Sequence, residues 1–450
     1  MDDRCGGRTF EVTRIEGRTA AEIAGSVRAL VDSGSLHAGD GLPPVRELAK
    51  SLGVNRNTVV AAYRQLAVAG VAITNRGAGT SIAPPPTFVE EGFAPDTVLR
   101  DVSHGNPDRN LLPDPSMVQL SSSPPVLYGE STVDPGLGAW AMSQFGADQP
   151  REFRLTVTSG AVDAIEKLLS QALSHGDAVA LEDPCFLTSI NAVRRAGYRP
   201  VPVPVDDEGM TAGGLRSALE AGARAVVCTP RAHNPTGVSL TPSRAAELQD
   251  ALADHPHVLV IEDDHFSLLS QARYHSIVSR THQRWALVRS VSKFLGPDLR
   301  VALVASDPGT ADRFAVQISG GTKWVSHLLQ RTVQALLTDE TVQDRIHAAA
   351  VHYHRENTRF VELLRDRGIT ATGGDGLNIW VSTGADAHAV AGQLMRRGWI
   401  VRTGDSFALG TESGAERIRL TVHELDTDAS EMLADALAKA VAAAHTGAGL

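Results

Sequence analysis

The alternation of short apolar runs with helical patterns constrains the fold of this chain more than any other feature. Beyond residue 100, five aliphatic runs are separated by segments in which apolar residues recur at helical spacing. The runs cover residues 155–158, 178–181, 225–228, 258–261 and 287–290. Because these runs are mostly apolar and rich in β-branched residues, they predict strands buried on both faces, as in a largely parallel sheet between helices. We therefore expect an α/β body over residues 101–450.

The first 83 residues carry a different pattern, of three short helices followed by two short strands. Helical spacing predicts a helix over residues 19–33, and a second helix follows the prolines at positions 43 and 44. Gly53 permits a sharp turn, and Asn55 can cap a third helix whose core face is Val59, Tyr63, Leu66 and Ala67. Residues 71–82 predict two strands joined by a glycine turn. This small α+β arrangement is a winged helix-turn-helix.

The third helix has the side chains of a DNA-reading helix at its N-terminus. Such a helix lies in the major groove and reads bases with its first residues. The residues expected to contact DNA are Arg56, Asn57 and Thr58 at bases, Arg46 at a phosphate, and Arg76, Gly77 and Gly79 at the minor groove. For any one of these arginines taken alone, a solvated surface position without a DNA contact is an equally good interpretation. The prediction therefore depends on the whole pattern.

The net charge of −10 conceals a difference between the two parts of the chain. Residues 1–83 contain 10 basic and 8 acidic residues, a net charge of +2, whereas the remainder has a net charge of −12. Because DNA affinity depends on local phosphate neutralisation, a weakly basic head on an acidic body is compatible with DNA binding.

Residues 84–100 begin with three prolines and have no periodicity, which predicts an extended spacer between the head and the body. No apolar run approaches the roughly 20 residues that span a bilayer, and the N-terminus does not resemble a secretion signal. We therefore expect a cytoplasmic protein without a membrane partner. The three scattered cysteines predict neither a disulfide framework nor a zinc site, and we expect no metal.

Lys293 is the strongest candidate for a chemical role in the body. The chain has only five lysines, and Lys293 alone is flanked by hydroxyl groups and an arginine. Ser290, Ser292 and Arg300 offer hydroxyls and a fixed positive fork that suit a phosphate. A lysine after a strand is ordinarily solvent-exposed, but the Phe-Leu-Gly-Pro that follows predicts a buried, structured turn.

Further polar residues follow other predicted strands, at the edge where α/β sheets bind ligands. Asp263 lies at the end of one strand and can face a bound ring, with Asp264 as its rival. Ser159, Gly160 and Ala161 lie between a strand and a helix, where backbone amides can bind an anion. The plainer interpretation of this Ser-Gly is a helix cap.

Two more residues complete the set that a pyridine ring requires. Asn234, in an Asn-Pro turn, can donate to a ring oxygen, and Phe186 can stack on a ring, although a turn and a core residue are the ordinary interpretations. An amine, a carboxylate, phosphate donors and a stacking platform are what pyridoxal phosphate needs. The sequence therefore predicts pyridoxal phosphate as the cofactor.

These motifs resemble two known families on one chain. Residues 42–49, 55–59 and 77–80 resemble the winged helix-turn-helix of the GntR regulators, and the body resembles the fold-type I aminotransferases. Together they resemble the MocR subfamily of GntR regulators, from about residue 17 to about 440. The strings at residues 182–187 and 229–237 are most similar to its vitamin B6-linked members.

The resemblance implies a role for each predicted site residue. The implied contacts are Lys293 in a Schiff base with the cofactor, Asp263 at the pyridine nitrogen, Asn234 and His265 at the ring oxygen, Phe186 over the ring, and Ser290 and Arg300 at the phosphate. Arg419 is implied as the clamp for a ligand's α-carboxylate. Tyr128 is implied as the group that reaches the phosphate bound by the other subunit, in a head-to-tail homodimer.

His265 is the departure, because aminotransferases carry a tyrosine there. Imidazole has a different pKa and reach, so we expect little or no physiological turnover. The favoured hypothesis is a transcription regulator that binds promoter DNA and senses pyridoxal phosphate, with or without an amine or amino acid effector. The alternatives are an active aminotransferase that also binds DNA, and a DNA-binding protein whose body is only a dimerisation scaffold.

Overall fold

The computed structural model describes residues 15–69, 71–75, 79–83, 91–94, 97–120, 124–149, 151–410 and 414–446. The chain forms two compact units, Met1–Val89 and Glu90–Leu450. Arg76 and Gly77 lie outside the described residues, as does most of the spacer predicted over residues 84–100. Within the described ranges, no helix is long and apolar enough to cross a membrane.

The first unit has the predicted order of three helices and two strands. These elements are α1 (Ala20–Asp32), α2 (Val45–Leu52), α3 (Arg56–Val68), β1 (Ala72–Asn75) and β2 (Gly79–Ile82). Gly53 ends α2 in the left-handed region, and the Asn55 side chain accepts the Asn57 amide at the start of α3. The core face of α3 was predicted with one error, since Ala62 is buried and Ala67 is exposed.

The second unit contains the remaining helices and strands. Its helices are α4 (Pro135–Asp148), α5 (Ala161–Ser170), α6 (Leu187–Arg195), α7 (Ala212–Glu220), α8 (Pro242–Leu252), α9 (Ser292–Leu295), α10 (Pro308–Ser319), α11 (His327–Thr338), α12 (Glu340–Arg365), α13 (Ala387–Met395) and α14 (Thr427–His445). Its strands are β3 (Arg100–Asp101), β4 (Arg154–Thr158), β5 (Ala178–Asp183), β6 (Arg199–Asp206), β7 (Gly209–Met210), β8 (Ala223–Cys228), β9 (Leu259–Asp263), β10 (Trp285–Ser290), β11 (Ala302–Ser306), β12 (Ala371–Thr372), β13 (Ile379–Ser382), β14 (Trp399–Ile400), β15 (Arg402–Thr403) and β16 (Arg417–Leu420).

The large sheet confirms the predicted α/β body. Its strand order is β4-β11-β10-β9-β8-β5-β6-β7, and all five apolar runs form strands in it. The neighbours from β10 to β6 pair in parallel, whereas β11 pairs antiparallel with both β10 and β4. Val179 and Leu181 pack into one hydrophobic cluster and Ala180 into another. Because both faces are covered, the strands need no polar alternation.

A smaller C-terminal layer carries the second half of the candidate site. Its sheet has the order β12-β13-β16-β15, and its own hydrophobic cluster includes residues of α13 and α14. Within β16, Arg419 is completely buried, whereas Arg417, the first residue of the strand, is partly exposed.

Candidate cofactor site and nucleic-acid interface

The predicted site residues of the large unit converge at the carboxyl edge of the large sheet. Asp263 ends β9, Ser290 ends β10, and Phe186 follows β5 at the start of α6. These strands run in parallel, so their carboxyl ends meet at one edge. A cavity of about 370 Å³ lies there. Its walls contain Glu91, Asn106, Pro107, Ala161, Val162, Phe186, Thr188, Asn234, Asp263, His265, Ser290, Ser292, Lys293, Pro297 and Arg300.

Two adjacent buried carboxylates differ in what holds them. Asp264 accepts hydrogen bonds from Arg231 at 2.9 and 2.6 Å and from Arg289 at 2.8 Å. Burial acts to raise its pKa, but the two guanidinium groups outweigh burial and lower it. Asp263 lines the cavity, and its Oδ1 is buried without a hydrogen-bond partner. Burial, assisted by Asp264, raises the pKa of Asp263 to about 7. Asp263 is therefore the carboxylate free to bind a protonated ring nitrogen.

Lys293 brings its amine into the same cavity from the short helix α9. The ammonium donates a hydrogen bond to the carbonyl of Gly105 at 3.0 Å. Burial lowers the pKa of the amine, which favours the neutral nucleophilic form, although Glu91 and Asp263 oppose the shift.

Arg300 and the glycine before α5 form one end of the cavity. Gly160 has a φ of +96°, and a Cβ at this position would lie 3.4 Å from the Arg300 guanidinium carbon. Ser290 and Ser292 are hydrogen-bonded to each other at 3.1 Å beside this end. Hydroxyls, a guanidinium and the N-terminus of a ten-residue helix together suit a phosphate. The Ser159 amide instead donates to Asp163.

Glu91, a further residue that lines the cavity, forms an ion pair with Arg419 that sequence reasoning missed. Arg419 donates from both terminal nitrogens to the carboxylate of Glu91, at 2.7 Å for the Nη2–Oε2 pair. Asn234 donates to Glu91 at 3.3 Å and accepts from Arg419 at 3.1 Å. Glu91 falls inside the stretch assigned by sequence to the spacer. Nothing in an ordinary Glu-Glu pair within an aperiodic segment marks it as a site residue.

Of the remaining predicted residues, His265 and Phe186 line the cavity, and Tyr128 does not. His265 lines the cavity, and burial, with Lys293 nearby, lowers its pKa to about 4, so that the ring is neutral at pH 7. Phe186 also lines the cavity. Tyr128 is 80% exposed, contacts Trp324 and Lys323, and lies outside the set of residues that line this cavity.

The first unit presents the predicted DNA-reading residues at the surface. Arg46, Arg56 and Asn57 are exposed, and Thr58 is half-buried at the start of α3. The helix is held from behind by the Tyr63 hydroxyl, which donates to the Pro43 carbonyl at 2.6 Å. The exposed N-terminus of α3 can therefore approach base edges without repacking the core.

A winged helix-turn-helix joined to an aminotransferase-type body defines a class of transcription regulators. Residues 19–82 match the model of the bacterial regulatory proteins of the gntR family, and residues 128–437 match that of aminotransferase class I and II. The chain is 47% identical to the vitamin B6 salvage pathway transcriptional repressor PtsJ of Salmonella typhimurium, over 94% of this chain and 98% of PtsJ. It therefore belongs to the GntR regulators of the MocR type.

Two more distant similarities cover about three quarters of the chain. The chain is 24% identical to the probable rhizopine catabolism regulatory protein MocR of Rhizobium meliloti, over 75% of this chain and 76% of that protein. The body is similar to LysN, the α-aminoadipate aminotransferase of Thermus thermophilus, whose structure contains N-(5'-phosphopyridoxyl)-L-leucine. That likeness has a TM-score of 0.66 at 22% identity and covers 76% of this chain and 93% of LysN, and it shows the fold.

The residues of this site fit pyridoxal phosphate, the cofactor of the aminotransferase class I and II fold. The unpartnered Oδ1 of Asp263 is the strongest indication, because a buried carboxylate oxygen without a donor is costly unless a ligand satisfies it. Lys293 and Arg300 line the same cavity, where an amine and a guanidinium suit the aldehyde and the phosphate of this cofactor.

Proposed function

We propose that this protein is a cytoplasmic transcription regulator that binds promoter DNA through α3 and senses pyridoxal phosphate in its large unit, within vitamin B6 metabolism. The observation that supports it most is the Asp263–Lys293 cavity on a chain that also carries a GntR helix-turn-helix. The similarity to PtsJ, a vitamin B6 salvage pathway transcriptional repressor, supports the metabolic assignment.

The roles that we assign to the site residues are supported by their positions around the cavity. When bound, the cofactor supplies an aldehyde that reacts with a primary amine, and Lys293 provides that amine. Asp263 would accept a hydrogen bond from the protonated ring nitrogen, Phe186 would cover the ring, and Asn234 would donate to its oxygen. Ser290, Ser292 and Arg300 hold the phosphate, with the N-terminal amides of α5 behind them.

The DNA contacts follow the geometry of α3. Arg56 and Asn57 extend from its first turn, where they can hydrogen-bond guanine and adenine edges, with Thr58 beside them. Arg46 on α2 binds a backbone phosphate. Arg76, Gly77 and Gly79 stay assigned to the minor groove on sequence grounds alone.

The assembly we propose is a head-to-tail homodimer in which Tyr128 of one subunit completes the phosphate site of the other. The high exposure of Tyr128, far greater than that of an ordinary core tyrosine, supports a role at an interface. A dimer also presents two α3 helices to two half-sites of an operator.

Turnover is not the function we propose. The neutral imidazole of His265, whose pKa is lowered to about 4, is a weaker base than an ordinary histidine, and its N–H is a weaker acid than a tyrosine hydroxyl. This group offers a weaker acid–base partner at pH 7. Cofactor occupancy, rather than transamination, is therefore the signal.

The test is a gel-shift titration on the DNA upstream of the protein's own gene, with and without pyridoxal phosphate. Wild type is expected to show the visible absorption of lysine-bound cofactor and a severalfold change in DNA affinity when the cofactor is added. Lys293→Ala is expected to lose both. If wild type shows the absorption band while its DNA affinity stays constant, cofactor sensing is refuted.

A further inference from the structure

The Glu91 carboxylate lies where a ligand's carboxylate would bind Arg419. Arg419 is fully buried and donates to Glu91 through both Nη1 and Nη2. Its other terminal donors are also used, because Nη1 donates to Asn234 at 3.1 Å and Nη2 to the Ser103 carbonyl at 2.7 Å. Every hydrogen on the two terminal nitrogens therefore has an acceptor, and a second carboxylate finds no free fork.

The surrounding chain is shaped around this ion pair. Gly105 has a φ of +66°, and a Cβ there would lie 2.5 Å from Glu91 Oε2 and 2.8 Å from Arg419 Nη2. Only glycine leaves room for the two groups to meet. Burial acts to raise the pKa of Glu91, but Arg419 outweighs burial and lowers it, so the carboxylate is ionised at neutral pH.

The short segment that carries Glu91 is fixed to the large unit by further contacts. The Gly92 amide donates to the His104 carbonyl at 2.9 Å, and the Ala94 amide donates to Asp101 at 2.6 Å. The rings of Phe93 and His104 stack with centroids 4.4 Å apart. Glu91 is therefore held in position by the three residues that follow it, and not by Arg419 alone.

The carboxylate subsite and the cofactor cavity are continuous, since Glu91 lines the cavity that also contains Lys293 and Asp263. We propose that Glu91 is an internal carboxylate that fills the Arg419 subsite, so that the cavity accepts pyridoxal phosphate, or its conjugate with an amine that lacks a carboxylate, and rejects amino acids. This inference rests on the proposed function, because it assumes that pyridoxal phosphate binds beside Arg419.

The test uses two stable probes that differ only in a carboxylate, N-(5'-phosphopyridoxyl)-L-alanine and N-(5'-phosphopyridoxyl)ethylamine. Their dissociation constants are measured by isothermal titration calorimetry with the full chain freed of cofactor. Wild type is expected to bind the ethylamine conjugate at least as tightly as the alanine conjugate. Glu91→Ala is expected to prefer the alanine conjugate by about tenfold or more, because a charge-assisted pair with Arg419 becomes available.

Two further variants keep the result decisive. Glu91→Gln retains the size of the side chain, so it is expected to fold if Glu91→Ala does not, and to shift the preference in the same direction. Glu431→Ala, which removes a carboxylate from a surface pair with Arg367, is expected to behave as wild type.

The outcomes separate the two proposals. If wild type already prefers the alanine conjugate by the same factor as the Glu91 variants, the internal carboxylate is refuted while cofactor binding stands. If neither conjugate binds to wild type or to any variant, the proposed cofactor site fails, and this inference fails with it.

Discussion

Neighbouring residues of one type take opposite roles in this site because their surroundings differ. Asp264 is buried with two guanidinium groups that stabilise its charge, whereas Asp263 is buried with an oxygen that has no donor. A buried carboxylate without donors favours its protonated form, and one between two arginines favours its ionised form. The Asp263 carboxyl therefore destabilises the folded protein and is at the same time available to bind a ligand. This trade-off between stability and function is common at functional sites.

Asp263→Asn is expected to stabilise the cofactor-free large unit above pH 7 and to weaken cofactor binding about tenfold or more. The pKa of Asp263 is about 7 in the folded protein, above the ordinary 3.8. Between these two pH values the folded state binds more protons than the unfolded state, so the free energy of unfolding falls as the pH rises from 3.8 to about 7. The gain in the free energy of unfolding should be about 1–3 kcal/mol at pH 8 and smaller at pH 5. Urea unfolding across this pH range measures it.

The control for this prediction is Asp264→Asn, which should act in the opposite direction. It leaves Arg231 and Arg289 without their shared carboxylate, and breaking a buried pair typically costs about 3–5 kcal/mol. Because the pKa of Asp264 is lowered, its contribution is present at neutral pH and lost only in acid. Equal effects of the two substitutions would contradict the assignment of their roles.

At the scale of elements, local signals identified most of the architecture. The five apolar runs mark buried strands, Gly53 ends a helix because it tolerates the left-handed conformation, and Asn55 caps the next helix. Each of these signals is local, so a single sequence shows it directly. Strand β6 was missed because prolines at positions 200, 202 and 204 disguise it. Proline lacks an amide hydrogen and is confined to edge positions. Strand β6 fits this rule, because it pairs along its length only with β5.

Local sequence patterns pointed to those residues of the candidate site that follow strands. Asp263, Ser290 and Lys293 stand beside apolar runs, and the pattern of those runs brings them to one edge. Glu91 meets Arg419 across 328 positions of the chain, and no local signal encodes that contact. The importance of Gly105 likewise arises only from the approach of these two side chains.

The cap of α3 provides a prediction at this scale. Asn55→Ala removes the side-chain acceptor of the Asn57 amide and is expected to cost about 1 kcal/mol of stability in the first unit. Asn57→Ala, two residues along the same helix, has no cap to lose and is expected to keep stability while weakening specific DNA binding. Hydrogen exchange of α3 amides in the full chain, together with gel shifts, distinguishes them. Faster exchange in both variants would contradict this division.

At the scale of the whole molecule, one chain joins a DNA-binding head and a cofactor-binding body whose net charges have opposite signs. The DNA-binding head carries a net charge of +2 and the body one of −12. We expect the specific DNA contacts to come from the head, because it carries the helix-turn-helix and has the net positive charge. Cofactor binding alters DNA affinity only if pyridoxal phosphate binds the DNA-competent and DNA-incompetent states with different affinities.

Reciprocal substitutions test whether the two activities are separable. Arg56→Ala removes an exposed guanidinium from the first turn of α3, without loss of any core contact, and is expected to weaken specific DNA binding about tenfold or more. The same variant should keep the visible spectrum of bound cofactor, because Lys293 and Asp263 belong to a different compact unit. Lys293→Ala should lose that spectrum and the cofactor's effect on DNA affinity, yet still bind operator DNA. Loss of both activities in Arg56→Ala would show that the head and the body do not fold as independent units, and would remove the basis for regulation by exchange between two states.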